Sequence, residues 1–337
     1  MLRQLARLTH RLPAVSARAC AFAVYADHDG RLIPARESGE EGVACVDDAA
    51  RGLVLMCRLW RATRLGSARR TADGLLDFVL WMQLPNGDFV NFISDWAGHH
   101  NLDGPTSVAG GAFWQARGLL GVAHAWLTLA DARAADGFAC ALERVRQIDV
   151  APDVRAIHAA TALEIVRAGR MPPLRADLVR WCDEIASARS GDVLMDSAST
   201  GVHLWGHTQE AVLADAGRFL GRAELVEIAR RSAEVVFVPV IESGFDLPMV
   251  QPYAVTCAVL AMDRLREATG DARYERLARD ARAWFDGRNL AHAPVYDRAS
   301  GRVADGIDDG RVSTNSGAEA NLVAAEALFA EVAAAAR

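Results

Sequence analysis

Acidic side chains that could exchange a proton with a ligand occur at three places, each beside a long predicted loop. Asp47 and Asp48 begin a helix built mainly from Val, Ala, Leu and Met. Asp246 lies in a loop, and Glu319 follows Ser316 at the start of the last predicted helix. If partial burial raises the pKa of such a carboxyl, it becomes suited to general acid or base catalysis near neutral pH.

Simpler roles for the same acids are also consistent with the sequence. Asp47 and Asp48 can be ordinary first-turn acids, which the positive end of a helix dipole favours. Glu319 can be the partner of Ser316 in a capping box, where the two side chains bond free backbone N–H groups of the first turn. The sequence does not decide between these roles and acid–base chemistry.

Aromatic rings and hydrogen-bonding side chains are interleaved in the same loops and helix starts. This mixture suits a sugar, whose apolar C–H face stacks on an aromatic ring while its hydroxyls take hydrogen bonds. We expect sugar rings to stack on Trp96, Trp114 and Trp205. We expect hydrogen bonds to the substrate from Asp88, Gln115, His207, Gln251, Tyr253 and Asn315. The alternatives are a loop packed by its own aromatics and a purely structural His207.

The composition removes several kinds of chemistry. All 37 residues of the Lys+Arg count are Arg, so no lysine amine can form a Schiff base or reach a phosphate in a Walker-type loop. The adjacent His99 and His100 lack the spacing of metal ligands, and the six cysteines contain no C-x-x-C pair. We therefore expect no metal site and no cofactor, and buried free thiols.

Charge and hydropathy bound the possible partners and location. A formal net charge of −6 argues against a nucleic-acid partner, and no apolar run approaches the roughly 18 residues of a membrane span. Residues 1–26 contain four Arg and no acid, but their longest apolar run is short for a targeting peptide. We therefore expect an amphipathic first helix and a cytoplasmic protein. The oligomeric state is left open.

Helical periodicity runs through most of the chain and predicts an all-α fold. The predicted helices lie at about 2–20, 43–64, 68–83, 107–130, 132–148, 152–168, 174–189, 203–219, 222–236, 251–268, 272–288 and 316–335. Helices joined by short links alternate with long loops, which indicates helical hairpins with their loops gathered at one end. We predict one (α/α)6-toroid domain over residues 1–337, with a lead-in at 1–36 and the core at 37–335.

Three short segments carry a resemblance to known proteins: 41–51 (EGVACVDDAAR), 111–118 (GAFWQARG) and 315–322 (NSGAEANL). They are similar to (α/α)6-toroid carbohydrate-active proteins of the six-hairpin glycosidase type. They particularly resemble bacterial all-helical domains found near or fused to glycosyltransferases. In six-hairpin glycosidases, carboxylates at the pocket mouth act as general acid and base. The resemblance implies that role for Asp47, Asp48, Asp246 and Glu319, without deciding which is which.

A second toroid family shares one weaker motif. Residues 83–89 (QLPNGDF) resemble the repeat of squalene-type terpene cyclases. Those enzymes protonate an isoprenoid with an Asp-x-Asp-Asp motif, whereas the first position here is Cys45. An aromatic content of 7% is also low for the lining of a hydrocarbon cavity. We therefore rank a cyclase-like enzyme last.

The sequence favours a glycoside hydrolase that uses an Asp/Glu acid–base pair on a glycan in a central pocket. A sugar epimerase or polysaccharide lyase on the same fold is the first alternative, with His207 or Tyr253 as the base. This alternative needs a uronic acid or a reducing-end sugar as substrate, and an Arg near the pocket that holds a carboxylate. The non-enzymatic alternative is a glycan-binding or scaffold protein.

Overall fold

The computed structural model describes residues 1–27, 29–34, 41–198 and 201–337. The predicted boundary between lead-in and core, at residues 36 and 37, lies outside these ranges. Internal contacts group the chain into two compact units. The first unit comprises Met1–Asp149, Arg298–Arg302 and Thr314–Arg337, and the second comprises Val150–Asp297 and Val303–Ser313. That the chain forms a single domain stays a prediction.

The all-α prediction is confirmed, because the regular structure of the described residues is mainly helical. The α-helices are α1 (Leu2–Leu8), α2 (Val46–Thr63), α3 (Gly66–Trp81), α4 (Ala112–Leu129), α5 (Ala132–Gln147), α6 (Pro152–Arg167), α7 (Leu174–Ser187), α8 (Gln209–Leu220), α9 (Ala223–Val236), α10 (Val238–Glu242), α11 (Pro252–Thr269), α12 (Ala272–Arg282), α13 (Ala318–Ala327) and α14 (Phe329–Ala335). A single-turn 3-10 helix follows α12 at Ala283–Asp286.

Every strand in the described chain is two or three residues long. The strands are β1 (Thr9–Arg11), β2 (Cys20–Phe22), β3 (Tyr25–Ala26), β4 (Leu32–Ile33), β5 (Ala44–Cys45), β6 (Phe92–Ile93), β7 (Arg189–Ser190), β8 (Val193–Leu194), β9 (Met249–Val250), β10 (Tyr296–Asp297), β11 (Arg302–Val303), β12 (Ile307–Asp308) and β13 (Arg311–Val312). They fasten loops together rather than forming a core sheet.

In the first unit, α2 is the central helix and packs against α3, α4 and α13. Leu53 and Leu59 of α2 are fully buried, as its apolar spacing predicts. The antiparallel pair β5–β6 sets Cys45 opposite Phe92 immediately before α2 begins. This pairing fixes where the two acids of the first turn of α2 stand relative to the 91–107 loop.

In the second unit, consecutive helices pack as hairpins: α6 with α7, α8 with α9, and α11 with α12. The helices α6 and α11 also pack against α8, which is therefore central to this unit. Nearly all of α8 is buried, from Gln209 through Gly217. The antiparallel strands β9, β12 and β13 join the loop before α11 to the loop that follows the 3-10 helix.

The structure corrects three predicted elements. The first helix ends at Leu8 rather than near residue 20, because the chain turns there into the β1–β2 pair. The last predicted helix is interrupted at Leu328, between α13 and α14. The short helix α10 lies within the predicted 237–250 loop.

Two further features of the described residues are the state of the cysteines and the character of the helices. All six cysteines are free thiols and five of them are buried, which confirms the expectation of free thiols. Within the described chain, none of the helices combines the length and the apolar character that a bilayer crossing demands.

Two buried histidines are placed where a positive charge is unfavourable. His124 on α4 and His158 on α6 are almost completely buried. Burial, assisted by Arg58 and Arg61 in one case and by Arg155 in the other, lowers the pKa of each to about 3. Both imidazoles are therefore neutral in the folded protein at neutral and mildly acidic pH.

We predict that acid weakens the fold through these two residues. Below about pH 6.5 the unfolded chain binds protons that the folded chain does not, so each histidine lowers the free energy of unfolding by up to about 1.4 kcal/mol per pH unit. The loss continues until the pH reaches about 3, the folded-state pKa. Urea unfolding at pH 7.5, 6.0 and 5.0 should show a shallower pH dependence for His124→Phe.

The matched control is His292→Asn, which changes an exposed histidine. His292 has a left-handed backbone with φ of 48°, a conformation that Asn tolerates. The control should keep the pH dependence of the parent protein. Equal pH dependence in His124→Phe and the parent protein would contradict the role given to His124.

Candidate active site

The first turn of α2 is held in place by a buried thiol and an asparagine. Cys45 is the N-cap, and its Sγ accepts a hydrogen bond from the Asp48 N–H at 3.5 Å. Asn91 Oδ1 accepts from the Asp47 N–H at 3.2 Å, and the Asn91 backbone carbonyl accepts from Val46 at 2.8 Å. Asn91 Nδ2 donates to the carbonyl of Thr106 at 2.9 Å. The backbone donors of this turn are thus occupied, and the two carboxylates are left for other partners.

Arg51 joins two of the predicted acids. Its Nη1 donates to Asp48 Oδ1 at 3.2 Å, and its Nη2 lies 2.7 Å from Glu319 Oε2. The side chains are 4% exposed for Asp48, 12% for Arg51 and 33% for Glu319. The structure therefore brings Asp48 of α2 and Glu319 of α13 onto one guanidinium, and the cluster reaches solvent mainly through Glu319.

A second acid–arginine pair stands beside the first. Arg117 of α4 places Nη1 2.8 Å from Asp47 Oδ1. Its side chain is almost fully buried, and the guanidinium lies 5.0 Å from the centre of the Phe113 ring. A cation over an aromatic face is stabilised by the ring quadrupole. Asp47 and Asp48 are therefore bound by different arginines, which orient the two neighbouring carboxylates independently.

Burial raises the pKa of Asp48 to about 7. Arg51 opposes that rise, while the negative charges of Glu319 and Asp47 add to it. The sequence-based expectation that burial raises the pKa of one of the two acids is thus met by Asp48. A carboxyl that is partly protonated near pH 7 can both donate and accept a proton at working pH.

We predict that Asp48 titrates near neutral pH. Carbon-13 NMR of protein labelled at the aspartate carboxyls should show one resonance whose chemical shift changes around pH 7. The pKa of that carboxyl is then well above the usual aspartate value near 3.9. That resonance should disappear in Asp48→Asn and persist in Asp47→Asn. If every aspartate titrates below about pH 5, the environment described for Asp48 is wrong.

Glu319 is not part of a capping box. The N-cap of α13 is Gly317, and no side chain caps this helix. Ser316 Oγ instead accepts from Asn321 Nδ2 at 2.9 Å. Glu319 is turned toward Arg51, because the ion pair between α13 and α2 gives its carboxylate a stronger partner than a backbone N–H. The neighbouring Asn315 is exposed in the segment before the helix.

Two residues expected to bind substrate hold a buried turn instead. Gln115 is 1% exposed; its Oε1 accepts from the Phe89 N–H at 2.8 Å, and its Nε2 donates to the Gly87 carbonyl at 3.0 Å. Asp88 accepts from Arg144 Nε at 2.9 Å and is also buried. Because the amide of Gln115 is engaged at both ends inside the protein, we leave Gln115 out of the proposed site.

Two of the three tryptophans expected to stack on sugars have protein partners. Trp96 is half-buried and stacks on His10, with ring centres 4.0 Å apart. Trp114 is also half-buried and donates through Nε1 to the Val108 carbonyl at 2.9 Å. Its ring covers Gly111, where a Cβ atom would lie 1.8 Å from it. The glycine at this helix start thus makes room for the chain's own tryptophan.

In the second unit, His207 lies between two carboxylates. Its Nδ1 is 3.0 Å from Asp196 Oδ2 and its Nε2 is 3.1 Å from Glu210 Oε1. All three side chains are fully buried. Ser232 Oγ of α9 donates to Glu210 Oε1 at 2.5 Å. Loop, helix α8 and helix α9 thus converge on one imidazole.

The charge state of His207 follows from these neighbours. Burial lowers the pKa of His207, but Glu210 and Asp196 outweigh burial and raise the pKa to about 10. Asp196 has a lowered pKa: burial acts to raise it, and the hydrogen bonds from His207, Ala198 and His203 outweigh burial. The resting structure therefore contains an imidazolium with both N–H groups directed at carboxylates.

We predict that His207 remains protonated at pH 8.5, where an ordinary histidine with a pKa of about 6.5 is neutral. Nitrogen-15 NMR should show the chemical shifts of an imidazolium for His207 at that pH. Since the folded pKa lies above the unfolded one, this residue stabilises the fold fully below about pH 6.5, and the contribution is lost as pH rises through about 10. Imidazole shifts of a neutral ring at pH 8.5 would contradict the structure.

The remaining predicted site residues of the second unit differ in burial. Asp246 is exposed in the loop before β9, and its backbone N–H donates to Ser243 Oγ at 3.3 Å. Gln251 is the exposed N-cap residue of α11 and makes no side-chain cap bond. Tyr253 is buried with its ring edge-on to Trp205, 5.3 Å between centres.

Sequence reasoning missed the partners that set the chemistry of both clusters. Arg51 and Glu210 each lie three residues after a predicted site residue on or beside a helix, a spacing that places two side chains on one face. That spacing was a usable signal. The other partners come from more distant segments, so local spacing does not predict them: Arg117, Asp196 and Ser232. Among the described residues, no group of three His, Cys, Asp or Glu side chains could hold a metal ion.

Comparison with solved structures identifies the fold. The chain resembles a D-mannose isomerase at a TM-score of 0.75 and 11% identity, covering 99% of this chain and 96% of the other. It resembles a sugar epimerase from a ruminal bacterium at 0.71 and 10% identity, covering 98% and 99%. A family 76 glycoside hydrolase from a bovine Bacteroides thetaiotaomicron strain matches at 0.69 and 10%, covering 98% and 76%. The fold is the (α/α)6 toroid.

The toroid predicted from helical periodicity is thereby confirmed. No family model and no curated protein sequence matches the chain. At about one identical residue in ten, these neighbours establish the fold alone.

Proposed function

We propose that this protein is a carbohydrate-active enzyme of the glycoside hydrolase type, with Asp48 and Glu319 as its acid–base pair. The observation that carries the proposal is the pairing of a buried Asp48, whose pKa is raised to about 7, with the more exposed Glu319 on the shared Arg51. Two carboxyl groups in unlike environments are what glycosidic bond cleavage uses.

In the proposed reaction the two carboxyls act in sequence. Protonated Asp48 donates its proton to the oxygen of the leaving sugar as the glycosidic bond breaks. Glu319, which is closer to solvent, accepts a proton from the water that attacks the anomeric carbon. Arg51 contacts both carboxylates and holds their separation. Asp47, bound by Arg117, places its carboxylate next to the developing positive charge of the sugar.

The structural neighbours support this proposal through the scaffold. Besides the family 76 hydrolase, they include a protein described as a GH76 α-mannanase and one described as a glycosyl hydrolase of family 88. The same fold thus serves sugar hydrolysis in other proteins. A sugar or glycan is accordingly the proposed substrate. A cytoplasmic location and the absence of a nucleic-acid partner, for which the net charge of −6 speaks, complete the proposal.

We predict that Asp48→Asn and Glu319→Gln each abolish hydrolysis. Loss of a general acid or base typically lowers kcat/KM by about 10²- to 10⁴-fold. The measurement is release of reducing ends from a panel of gluco- and manno-configured glycans, followed over pH. The parent protein should lose activity as pH rises through about 7, because the acid form of Asp48 disappears.

Glu326→Gln is the matched control. Glu326 and Arg58 form a second ion pair between α13 and α2 at 2.9 Å, seven residues along each helix from Glu319 and Arg51, and the two glutamates are similarly exposed. Its loss perturbs the same helix contact without touching Asp48, so activity should be retained. Full activity in both Asp48→Asn and Glu319→Gln would rule out this assignment.

A sugar epimerase or isomerase is the second candidate. His207 between Asp196 and Glu210 provides an acid–base group in the second unit, and the neighbours described as D-mannose isomerase and cellobiose 2-epimerase share the fold. Because the resting imidazole is protonated, His207 would first act as an acid and then, once deprotonated, as a base. Incubation of sugars in D₂O separates the candidates: an epimerase incorporates deuterium into recovered sugar and creates no reducing ends.

A further inference from the structure

Titratable side chains of the second unit form a continuous series of close polar contacts. His203 Nδ1 lies 3.2 Å from Asp196 Oδ2, and the same oxygen lies 3.0 Å from His207 Nδ1. His207 Nε2 continues to Glu210 Oε1 at 3.1 Å, where Ser232 Oγ donates at 2.5 Å. Imidazole and carboxylate groups alternate along this series, so each group can accept the proton that its neighbour releases.

In this series of side chains, only the end formed by His203 is exposed to solvent. The His203 side chain is 38% exposed, whereas the Asp196, His207 and Glu210 side chains have no solvent exposure. Of these four groups, only His203 can exchange protons with water directly. The inner groups can exchange either through His203 or by local opening of the fold.

The connecting carboxylate is held rigidly. Asp196 Oδ2 accepts the His203 backbone N–H at 2.9 Å, and Oδ1 accepts the Ala198 N–H at 2.8 Å. The backbone bond to His203 would survive replacement of the His203 side chain. Asp196 therefore keeps its position whether or not an imidazole is present at residue 203, and the two roles of His203 can be separated by experiment.

At both ends of this series of side chains, hydroxyl groups contact the titratable groups. At the outer end, His203 Nε2 is 3.4 Å from Ser197 Oγ, an exposed hydroxyl that also donates to Asp153 at 2.6 Å. At the inner end, Ser232 Oγ accepts from the Leu194 N–H at 2.9 Å, so its own proton is directed at Glu210. Glu210 Oε2 is buried and has no hydrogen-bond partner within the described chain.

We propose that His203 and Asp196 form a proton-transfer path that connects solvent with His207 and Glu210. His207 releases the proton on Nδ1 to Asp196 Oδ2, Asp196 passes it to His203 Nδ1, and His203 releases the one on Nε2 to water. The same steps in reverse return a proton from water to His207, whose Nε2–H remains directed at Glu210 Oε1. One proton leaves or enters in each passage, and only N–H and O–H bonds change. His203 and Asp196 are positioning residues that act through His207.

The path consists of second-unit residues, includes neither Asp48 nor Glu319, and goes beyond the proposed hydrolase chemistry. A buried acid–base group must be recharged after each proton it gives away, and neither His207 nor Glu210 is in contact with water. The competing view is a buried charge cluster that only stabilises the fold. The two views differ in how fast the ring protons of His207 exchange with water.

The test measures exchange of the His207 ring N–H protons with water by nitrogen-15 NMR of the full chain, at pH 7 and 8. In His203→Gln the exchange should slow by about tenfold or more, because the inner groups must then wait for local opening. Backbone amide exchange in α8 should stay unchanged. His99→Gln is the control, since His99 is an exposed histidine paired with Asp95 at 2.8 Å. It should leave the His207 rate unaltered.

A second variant keeps the result decisive if His203→Gln loosens the packing. In His203→Ala, imidazole added to the buffer should restore the exchange rate of the parent protein by replacing the lost ring. Recovery with imidazole supports the path. Equal exchange rates in the parent protein and His203→Gln, or no recovery with imidazole, would overturn it. The readout needs no substrate, so this outcome is independent of the proposed hydrolase activity.

Discussion

The ion pairs of Arg51 determine the arrangement of the first unit's polar centre. One guanidinium contacts Asp48 in the first turn of α2 and Glu319 in the first turn of α13, two segments far apart in the chain. Burying a carboxylate without a partner has a large unfavourable desolvation free energy. Asp48 can be buried because Arg51 pairs with its charged form and because burial also favours its neutral, protonated form. Position, pKa and chemical capability of the site all follow from that constraint.

The two clusters use different cations for their carboxylates. In the Asp47–Asp48 cluster the positive charge comes from Arg51 and Arg117, which remain charged at any working pH. In the Asp196–Glu210 cluster it comes from His207, a group that can take up and release a proton. Since the chain contains no lysine, arginine and histidine are its only side-chain cations. The first cluster is therefore fixed in charge on its cationic side, whereas the second can transmit a proton.

Much of the fold could be predicted from the sequence because helix periodicity is a local property. The predicted helix at 132–148 corresponds to Ala132–Gln147, and the one at 152–168 to Pro152–Arg167. The prediction of the first helix was wrong because residues 9–11 pair with residues 20–22 as strands, and helical periodicity does not detect pairing between segments. Glu319 failed as a capping residue for a similar reason, since its partner lies on a helix more than 250 residues earlier.

Residue types and short-range spacing were enough to predict the helical architecture, the free thiols, the exclusion of amine chemistry and the candidate acids. Which acids are buried, and which base or acid each one contacts, could be read only from the folded chain. Asp47 and Asp48 are adjacent and chemically identical, yet Arg117 binds one and Arg51 the other. His207 became an imidazolium because Glu210 of α8 and Asp196, from the far end of the loop that precedes α8, both approach its ring. A pKa depends on burial and on neighbouring charges, and both are set by contacts between distant segments.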